Sequence, residues 1–238
     1  MVAQSLKTLI SSTLPKPFRD RLRQLKTQLN VKLLRLAKKD IDYFYDEGFA
    51  TSPFRNKSWT PYFCDLILSR FKPQSIVDFG CGTGDILKPF EAKGLDVLGL
   101  DGSQANQRHC QLSPENFSLR DLRDKIQLDQ KYSLCICVEV AEHIEEKYSN
   151  TLIANLAAAS DRIIFTAALP GQDEGIDHCN LKPHQWWIDR FEAIGFRLDR
   201  EASEWLQGEL SKNPAVQPWY IENLHIFSNP SSQTHHHA

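Results

Sequence analysis

The chain has 238 residues, of which 41% are hydrophobic and 24% charged, a composition typical of a globular protein with one well-filled core. Its net charge of −2 excludes the strongly basic character of a protein that binds nucleic acid with its whole surface. The six cysteines form no Cys-x-x-Cys pair, so neither a zinc site of that type nor a disulfide framework is indicated, and a reducing cytoplasm is expected.

The N-terminal region is strongly basic and has the periodicity of a helix. Residues 1–39 hold ten Lys or Arg against the single acid Asp20, a net charge of +9. Leucines recur there at spacings of three and four, which predicts an amphipathic helix, at Leu22, Leu25, Leu29, Leu33 and Leu36. This helix is expected either to pack on the rest of the protein or a second subunit, or to dock on an anionic membrane surface or an acidic carrier.

An aromatic segment follows between residues 42 and 59. Its density of aromatic side chains is too high for a solvated linker, while Gly48 and Pro53 break any continuous helix. The segment is therefore predicted to be a lid or the first wall of a pocket, with Trp59 as a substrate contact. The alternative is that these aromatic residues pack the preceding helix onto the core.

From residue 74 onward, short apolar runs alternate with helical stretches. This alternation predicts an α/β fold in which parallel strands are joined by right-handed crossovers. The predicted strands are Ser75–Phe79, Asp96–Leu100, Asn116–Arg120, Leu134–Val138, Arg162–Ala167, Phe196–Leu198 and His225–Phe227. Because no further helix of normal crossover length is evident beyond Ser203–Ser211, the last strand is predicted to be antiparallel.

The chain is expected to divide into three parts. Residues 1–58 are the extension made of the basic helix and the aromatic segment, and residues 59–230 are the α/β domain. Residues 231–238 are expected to be a disordered tail, and no function is assigned to the His235-His236-His237 run that it contains.

A glycine-rich turn follows the first predicted strand. Asp78 closes that strand, and Gly80, Gly82 and Gly84 come at every second position after it. Glycines allow positive φ and a close approach of the backbone to a ligand. Asp85 stands where a P-loop needs lysine and where a dinucleotide fingerprint needs its third glycine, so a triphosphate and a pyrophosphate are both disfavoured. A cationic or zwitterionic ligand fits this turn better.

The glycine motif and two later motifs together resemble a known family. Asp78–Gly84, Val97–Ser103 and Glu139–His143 are similar to the class I S-adenosylmethionine (SAM) dependent methyltransferases, most of all to the branch that holds the ubiquinone-type O-methyltransferases. The resemblance spans roughly residues 60 to 200 and leaves residues 1–50 outside. It implies a doubly wound, Rossmann-like, mostly parallel sheet of seven strands, with SAM as cofactor and S-adenosylhomocysteine as product.

The resemblance also assigns cofactor contacts. Asp78 would receive the ammonium of the methionine moiety, with helix capping as its alternative role, and Asp101 would accept hydrogen bonds from both ribose hydroxyls. Arg55 or Lys57 would reach the SAM carboxylate. The remaining cofactor contacts are Gly80, Cys81, Gly82 and Gly84 in the turn, Gly102 beside the ribose, Asp121 at the adenine amino group and Leu122 on the adenine ring. For Asp121, solvation or pairing with a neighbouring arginine is the alternative.

The segments after the fourth and fifth strands are expected to meet the methyl acceptor. By resemblance, Glu139 would face the cofactor and His143 would take a proton from an acceptor hydroxyl, although a structural role for His143 stays open. His178, in the polar loop 170–180, is a second candidate for the base. Further substrate contacts are expected from Asn180 and Trp187.

No metal site is predicted. Asp177-His178-Cys179 offers ligand types, but a third ligand at helical or hairpin spacing is missing. The predicted function is methyl transfer from SAM to an oxygen or nitrogen of a small metabolite, sugar or natural product, without a nucleic-acid partner. The alternative is a non-catalytic SAM-binding module that docks a partner or a membrane through its basic helix. The aromatic segment and the two histidines favour the enzyme.

Overall fold

The protein is described by a computed structural model that covers residues 29–37, 41–52, 57–172 and 177–230. The chain divides into two compact units, Met1–Tyr43 and Phe44–Ala238. Among the described residues, no helix combines the length and the apolar character needed to cross a membrane.

One sheet forms the centre of the second unit. Its strands in the described part of the chain are β1 (Ser75–Phe79), β2 (Asp96–Asp101), β3 (Phe117–Leu119), β4 (Leu134–Val138), β5 (Arg162–Thr166), β6 (Arg197–Leu198) and β7 (His225–Ser228). They are arranged in the order β3-β2-β1-β4-β5-β7-β6. β7 is antiparallel to β5 and β6, and the other pairs are parallel. The predicted seven-stranded, mostly parallel sheet with an antiparallel last strand is confirmed.

Helices cover both faces of this sheet. From residue 41 onward, the α-helices of the described part of the chain are α1 (Ile41–Phe44), α2 (Glu47–Ala50), α3 (Thr60–Phe71), α4 (Lys88–Ala92), α5 (Gln104–Arg108), α6 (Ser149–Ala159), α7 (His184–Ala193), α8 (Arg200–Leu210) and α9 (Pro218–Glu222). Single 3-10 turns lie at Pro114–Asn116, Ala141–His143 and Glu146–Tyr148.

Two apolar clusters pack against opposite faces of the sheet. Along β1 the side chains alternate, so that Val77 and Phe79 join one cluster and Ile76 joins the other. In the first cluster the rings of Phe191 and Phe227 stack at 4.1 Å between centroids. Burying each of these side chains contributes about 1.5 to 3 kcal/mol, so the core holds the strand ends in fixed positions.

The predicted bounds agree best where the apolar pattern is strongest. β1 and β4 begin and end where the sequence predicted. Helix α8 begins three residues before the predicted Ser203, because the carboxylate of Asp199 accepts a hydrogen bond from Ala202 N at 3.0 Å and caps an earlier start. Helix α9 was not predicted, and the tail 231–238 lies outside the described residues.

By their internal contacts the two units meet between residues 43 and 44, while the predicted domain boundary at residues 58 and 59 stays a prediction. Within the second unit, Ser103 Oγ donates to the carbonyl of Tyr45 at 2.6 Å and Arg108 pairs with Glu47. These contacts join the first part of the aromatic segment to the α/β domain.

Within the first unit, residues 29–36 are helical, as predicted. Leucines at spacings of four and three are exposed there, with exposed fractions of 58%, 55% and 71% for Leu29, Leu33 and Leu36. The first leucines of the predicted stripe, Leu22 and Leu25, lie outside the described residues.

Candidate active site at the carboxyl ends of the strands

The glycine turn after β1 requires glycine for two reasons. Gly80, Gly82 and Gly84 have φ values of 83°, 59° and 85°, which L side chains rarely adopt. A Cβ atom on Gly80 would also lie 2.3 Å from Val140 Cγ2, and one on Gly84 would lie 2.7 Å from Leu112 Cγ. Both glycines are thus needed for packing within the protein, in addition to any ligand contact.

The N–H groups of this turn point to β2. Gly80 N and Cys81 N both donate to the carbonyl of Leu100, at 2.7 and 3.1 Å. Gly82 N donates to Asp101 Oδ2 at 2.8 Å. The N–H groups of Gly80, Cys81 and Gly82 are thus engaged within the protein, and the carbonyls of Cys81, Thr83 and Gly84 also accept backbone hydrogen bonds. A contact between this turn and the cofactor stays a prediction.

Asp78, the glycine turn and Asp101 form what we call the cofactor cradle. Within it, one carboxylate oxygen of Asp78 still needs a partner. The residue is 1% exposed, and its Oδ2 atom is buried without a hydrogen-bond partner among the described residues. Burial raises the pKa of Asp78 to about 7, while the charge of Lys57 lowers it and that of Asp101 raises it. A buried carboxylate with an unused oxygen is expected to bind a cationic group.

Asp101 holds the cradle together. Its Oδ1 accepts hydrogen bonds from Ser103 N at 2.8 Å and Asn106 Nδ2 at 3.0 Å, while its Oδ2 accepts the bond from Gly82 N. Asp101 is predicted to accept hydrogen bonds from two ribose hydroxyls. Its carboxylate has one unused lone-pair direction, on Oδ2. Gly102 follows in the same turn and is partly exposed.

The two residues predicted to contact adenine, Asp121 and Leu122, make contacts within the protein. The guanidinium of Arg123 binds both carboxylate oxygens of Asp121, with its Nη2 2.9 Å from Oδ2. Arg123 is 6% exposed, so this ion pair is largely shielded from water. Leu122 is 7% exposed and belongs to the first apolar cluster. The arginine-paired alternative for Asp121 is the arrangement that the structure shows.

Two glutamates follow β4. Glu139 has a φ of 55°, and its backbone is held by a hydrogen bond to Thr166 Oγ1 at 2.8 Å. Burial raises the pKa of Glu139, whereas hydrogen bonds with Thr166 and Asn223 lower it. Glu142 is fully buried. Burial, then the charge of Glu139, raises the pKa of Glu142, whereas the backbone groups of Glu142 and Ala168 near its carboxylate lower it.

The two predicted bases lie together beside Glu142. The rings of His143 and His178 are 4.9 Å apart between centroids, and His143 Nε2 is 3.8 Å from Glu142 Oε1. Backbone hydrogen bonds bring them together, since Cys179 N and Asn180 N both donate to the carbonyl of Glu142 at 2.9 Å. The loop after β5 is thereby attached to the 3-10 turn after β4.

His178 is held in one tautomer. Its Nδ1 lies 2.6 Å from the backbone carbonyl of Gln172, which can only accept a hydrogen bond. The proton of a neutral His178 therefore sits on Nδ1, and the lone pair is on Nε2.

The aromatic segment contributes Tyr45 to the same region. The Tyr45 ring packs edge-on against His143 with 5.8 Å between centroids, and its hydroxyl is buried without a hydrogen-bond partner among the described residues. Burial, followed by the charges of Asp177 and Glu142, raises the pKa of Tyr45, so its hydroxyl stays protonated. Arg55, named for the same segment, lies outside the described residues.

The three predicted substrate residues have packing roles. Trp59 is 2% exposed and lies against Tyr220 in the second apolar cluster, while Trp187 is 3% exposed and lies against Phe165 in the first. Asn180 is buried too, and its side-chain amide donates to Ser149 Oγ at 3.0 Å. All three side chains are thus engaged in packing or hydrogen bonding within the protein, and a substrate contact by any of them stays a prediction.

Sequence reasoning missed Asn223, which is 1% exposed. Its Nδ2 donates to Glu139 Oε1 at 3.3 Å and to Gln172 Oε1 at 3.1 Å, so it connects the strand β4 end with the loop that holds His178. One signal could have found it. Because β7 is antiparallel, the residues before that strand lie at the edge where the parallel strands end.

Taken together, the sheet order, the acid before a glycine turn and the second acid at the end of β2 are those of the class I SAM-dependent methyltransferase fold. The chain belongs to the methyltransferase domain family, whose model matches residues 54–201. Its predicted assignment to this family is confirmed.

Relatives and solved structures agree with that assignment. The chain is 30% identical over 115 residues to the ubiquinone biosynthesis O-methyltransferase of Rickettsia felis, a match that covers 44% of this chain and 47% of that protein. The chain thus matches about half the length of this curated relative.

Two solved structures share the fold. Magnesium protoporphyrin IX methyltransferase from Synechocystis with bound SAM has a TM-score of 0.52 at 20% identity, covering 79% of this chain and 92% of that one. The sugar N-methyltransferase KedS8 from Streptoalloteichus has a TM-score of 0.56 at 14% identity, covering 76% and 91%.

Proposed function

We propose that this protein transfers the methyl group of SAM to an oxygen, or a nitrogen, of a small metabolite, sugar or natural product. The observation that carries the proposal is the placement of two polar centres on neighbouring strands. Asp78, next to the last residue of β1, has an unsatisfied carboxylate oxygen, and β4 leads into Glu142 and His143. Paired strands lie about 4.8 Å apart, so a cofactor bound at the carboxyl end of β1 can meet an acceptor bound at the carboxyl end of β4.

The cradle residues fit SAM. The unused Asp78 oxygen suits an ammonium group, and Asp101 retains one lone-pair direction for a ribose hydroxyl. Lys57 acts electrostatically on both Asp78 and Glu139, a position that suits the SAM carboxylate. When bound, SAM supplies a methyl group that its positive sulfur already activates.

On the acceptor side, the protein has to orient a nucleophile and handle its proton. His178 presents the Nε2 lone pair because Gln172 fixes its proton on Nδ1. An imidazole in this state can take the proton of an acceptor hydroxyl, and His143 lies beside it. The closed surroundings of Tyr45 and Glu142 limit the access of water to this end of the site.

Transfer can be tested without knowing the acceptor. Purified protein incubated with methyl-labelled SAM and a fractionated cell extract is expected to move label into one small-molecule fraction. Asp78→Ala should abolish both SAM binding and transfer, whereas Asp96→Ala, at the exposed start of β2, should affect neither. If calorimetry shows that SAM binds but no fraction gains label, the protein is a binding module and the proposal is wrong.

We also propose a cytoplasmic location and a contact made by the N-terminal helix. All six cysteines are free thiols, which suits a reducing compartment. The exposed Leu29, Leu33 and Leu36, in a basic region, suit contact with an anionic membrane surface or a second subunit. Sedimentation with anionic and neutral vesicles, together with the solution mass, distinguishes these two; a monomer that binds neither would contradict the contact.

A further inference from the structure

We propose that Tyr45 binds the methyl acceptor, with its phenolic hydroxyl donating a hydrogen bond to the acceptor oxygen that reacts. Tyr45 belongs to the aromatic segment and lies outside residues 54–201, which the family model matches. The sequence predicts a lid or a pocket wall there but assigns Tyr45 no role. The contact rests on the proposed methyl transfer, because it needs an acceptor bound at the carboxyl end of β4.

The state of the Tyr45 hydroxyl is the first reason. Its oxygen is buried, and it has no hydrogen-bond partner among the described residues. Burying a hydroxyl without a partner is unfavourable, so buried polar groups in folded proteins are nearly always paired. A ligand that accepts a hydrogen bond at this position would supply the partner.

The surroundings of the hydroxyl are the second, independent reason. The Tyr45 ring packs edge-on against His143 with 5.8 Å between centroids, and the rings of His143 and His178 are 4.9 Å apart. The charges of Glu142 and of Asp177, the residue before His178, also act on the Tyr45 hydroxyl. The unpaired donor therefore lies at the acceptor end of the site, beside both histidines.

Tyr45 is also attached to the cofactor cradle. Its backbone carbonyl accepts a hydrogen bond from Ser103 Oγ at 2.6 Å, and Ser103 N donates to Asp101 Oδ1 at 2.8 Å. The ring of Phe49 packs edge-on against Tyr45 with 4.9 Å between centroids. Tyr45 thus connects the predicted ribose contact with the acceptor end, the two places that methyl transfer has to bring into line.

A neutral donor suits the charge that develops during the reaction. Burial raises the pKa of Tyr45, so its hydroxyl keeps its proton. As His178 Nε2 takes the acceptor proton, negative charge develops on the acceptor oxygen, and a hydrogen bond donated by Tyr45 stabilises it. That oxygen forms its bond to the methyl carbon while the carbon–sulfur bond breaks, and the electron pair stays on sulfur. Tyr45 gives up no proton in this step.

The contact also separates the two acceptor atoms that the proposed function allows. A hydroxyl oxygen has two lone pairs, so it can attack the methyl group with one and accept a hydrogen bond from Tyr45 with the other. An amine nitrogen has a single lone pair, which the attack itself uses. A contact with Tyr45 therefore favours an oxygen acceptor.

Tyr45→Phe tests the contact, because it removes the hydroxyl and keeps the ring. In the ligand-free protein it should raise the melting temperature by about 2 to 4 °C, since it removes an unpaired buried group. Tyr62→Phe is the matched control. The Tyr62 hydroxyl donates to the carbonyl of Glu209 at 3.0 Å, so its loss should lower the melting temperature instead. A Tyr45→Phe protein that melts below the wild type would show that the hydroxyl already has a partner, and would overturn the contact.

The second measurement uses methyl-labelled SAM and the extract fraction that accepts label from the wild type. Tyr45→Phe should lower the rate of transfer to this fraction about 10- to 100-fold, while calorimetry shows SAM affinity near that of the wild type. Tyr62→Phe should keep the full rate. An undiminished rate in Tyr45→Phe would overturn the contact and leave methyl transfer intact. A wild type that transfers label to no fraction would instead contradict the proposed function on which the contact rests.

Discussion

Asp101 Oδ2 accepts a hydrogen bond from the backbone N–H of Gly82 at 2.8 Å, so the acid after β2 holds the glycine turn after β1. The same carboxylate binds Ser103 N and Asn106 Nδ2 through its other oxygen. It therefore shapes the cofactor cradle before any cofactor contacts it.

Asp101→Ala should consequently lower stability as well as SAM affinity. Losing a carboxylate that satisfies three donors is expected to reduce the free energy of unfolding by about 1 to 3 kcal/mol. Urea denaturation measures this, with Asp96→Ala on the same strand as the control. If Asp101→Ala unfolds at the same urea concentration as the wild type, the carboxylate does not organise the turn.

Comparing Gly80→Ala with Gly94→Ala separates the effect of a steric clash from that of backbone strain. Gly94 has nearly the same φ, 80° against 83°, but a Cβ there meets nothing within 4 Å. Both substitutions carry the strain of positive φ, about 1 to 2 kcal/mol. Only Gly80→Ala adds the clash with Val140, about 1 to 3 kcal/mol more. Thermal unfolding should therefore rank Gly94→Ala above Gly80→Ala, and equal stabilities would contradict the packing role.

SAM affinity should depend on the protonation of Asp78. Burial raises the pKa of this carboxyl to about 7, and an ammonium group binds the ionised form. Affinity should therefore rise with pH up to about 7 and fall about tenfold per unit below it. Calorimetry from pH 5.5 to 8 checks this, and Asp78→Asn should bind weakly with no such dependence. A flat wild-type profile would mean that the ammonium binds elsewhere.

The burial of Asp78 also predicts that replacing it with asparagine makes the protein more stable at high pH. Because its folded pKa lies above the unfolded value of 3.8, the folded state holds a proton that the unfolded state has lost. Its favourable contribution is full below about pH 4 and is lost as the pH rises through 7. At pH 8 the ligand-free Asp78→Asn protein should be more stable than the wild type by about 1 to 4 kcal/mol. Lower stability of the variant at that pH would contradict the burial argument.

His178→Ala should lower kcat on the true acceptor by about 10² to 10⁴ while SAM affinity stays near that of the wild type. The reason is that His178 lies at the acceptor end, where its Nε2 lone pair can take the proton of the acceptor. His109→Ala is the control and should keep full kcat. His143→Ala is expected to behave like His178→Ala; full activity in both would show that neither imidazole takes part.

Much of the sheet could be predicted because it depends on local patterns. The apolar run Leu134–Val138 is buried at every position and was predicted with its observed bounds. The start of α8 was misplaced because its cap, Asp199, is a single side-chain bond that periodicity does not reveal. The short helix α9 was not predicted because its local sequence signals are weak.

The sequence by itself determined the class of protein, since the spacing of Asp78, the glycines and Asp101 is a local property of two strand ends. Tertiary structure alone decided which polar groups remain available. Asp121 is neutralised by Arg123 and both predicted substrate tryptophans are buried, while Asn223 and Tyr45 arrive from distant segments. Glu142 and His178 meet only because two loops at neighbouring strand ends share backbone hydrogen bonds. Such partners depend on the path of the folded chain, which no spacing along the sequence records.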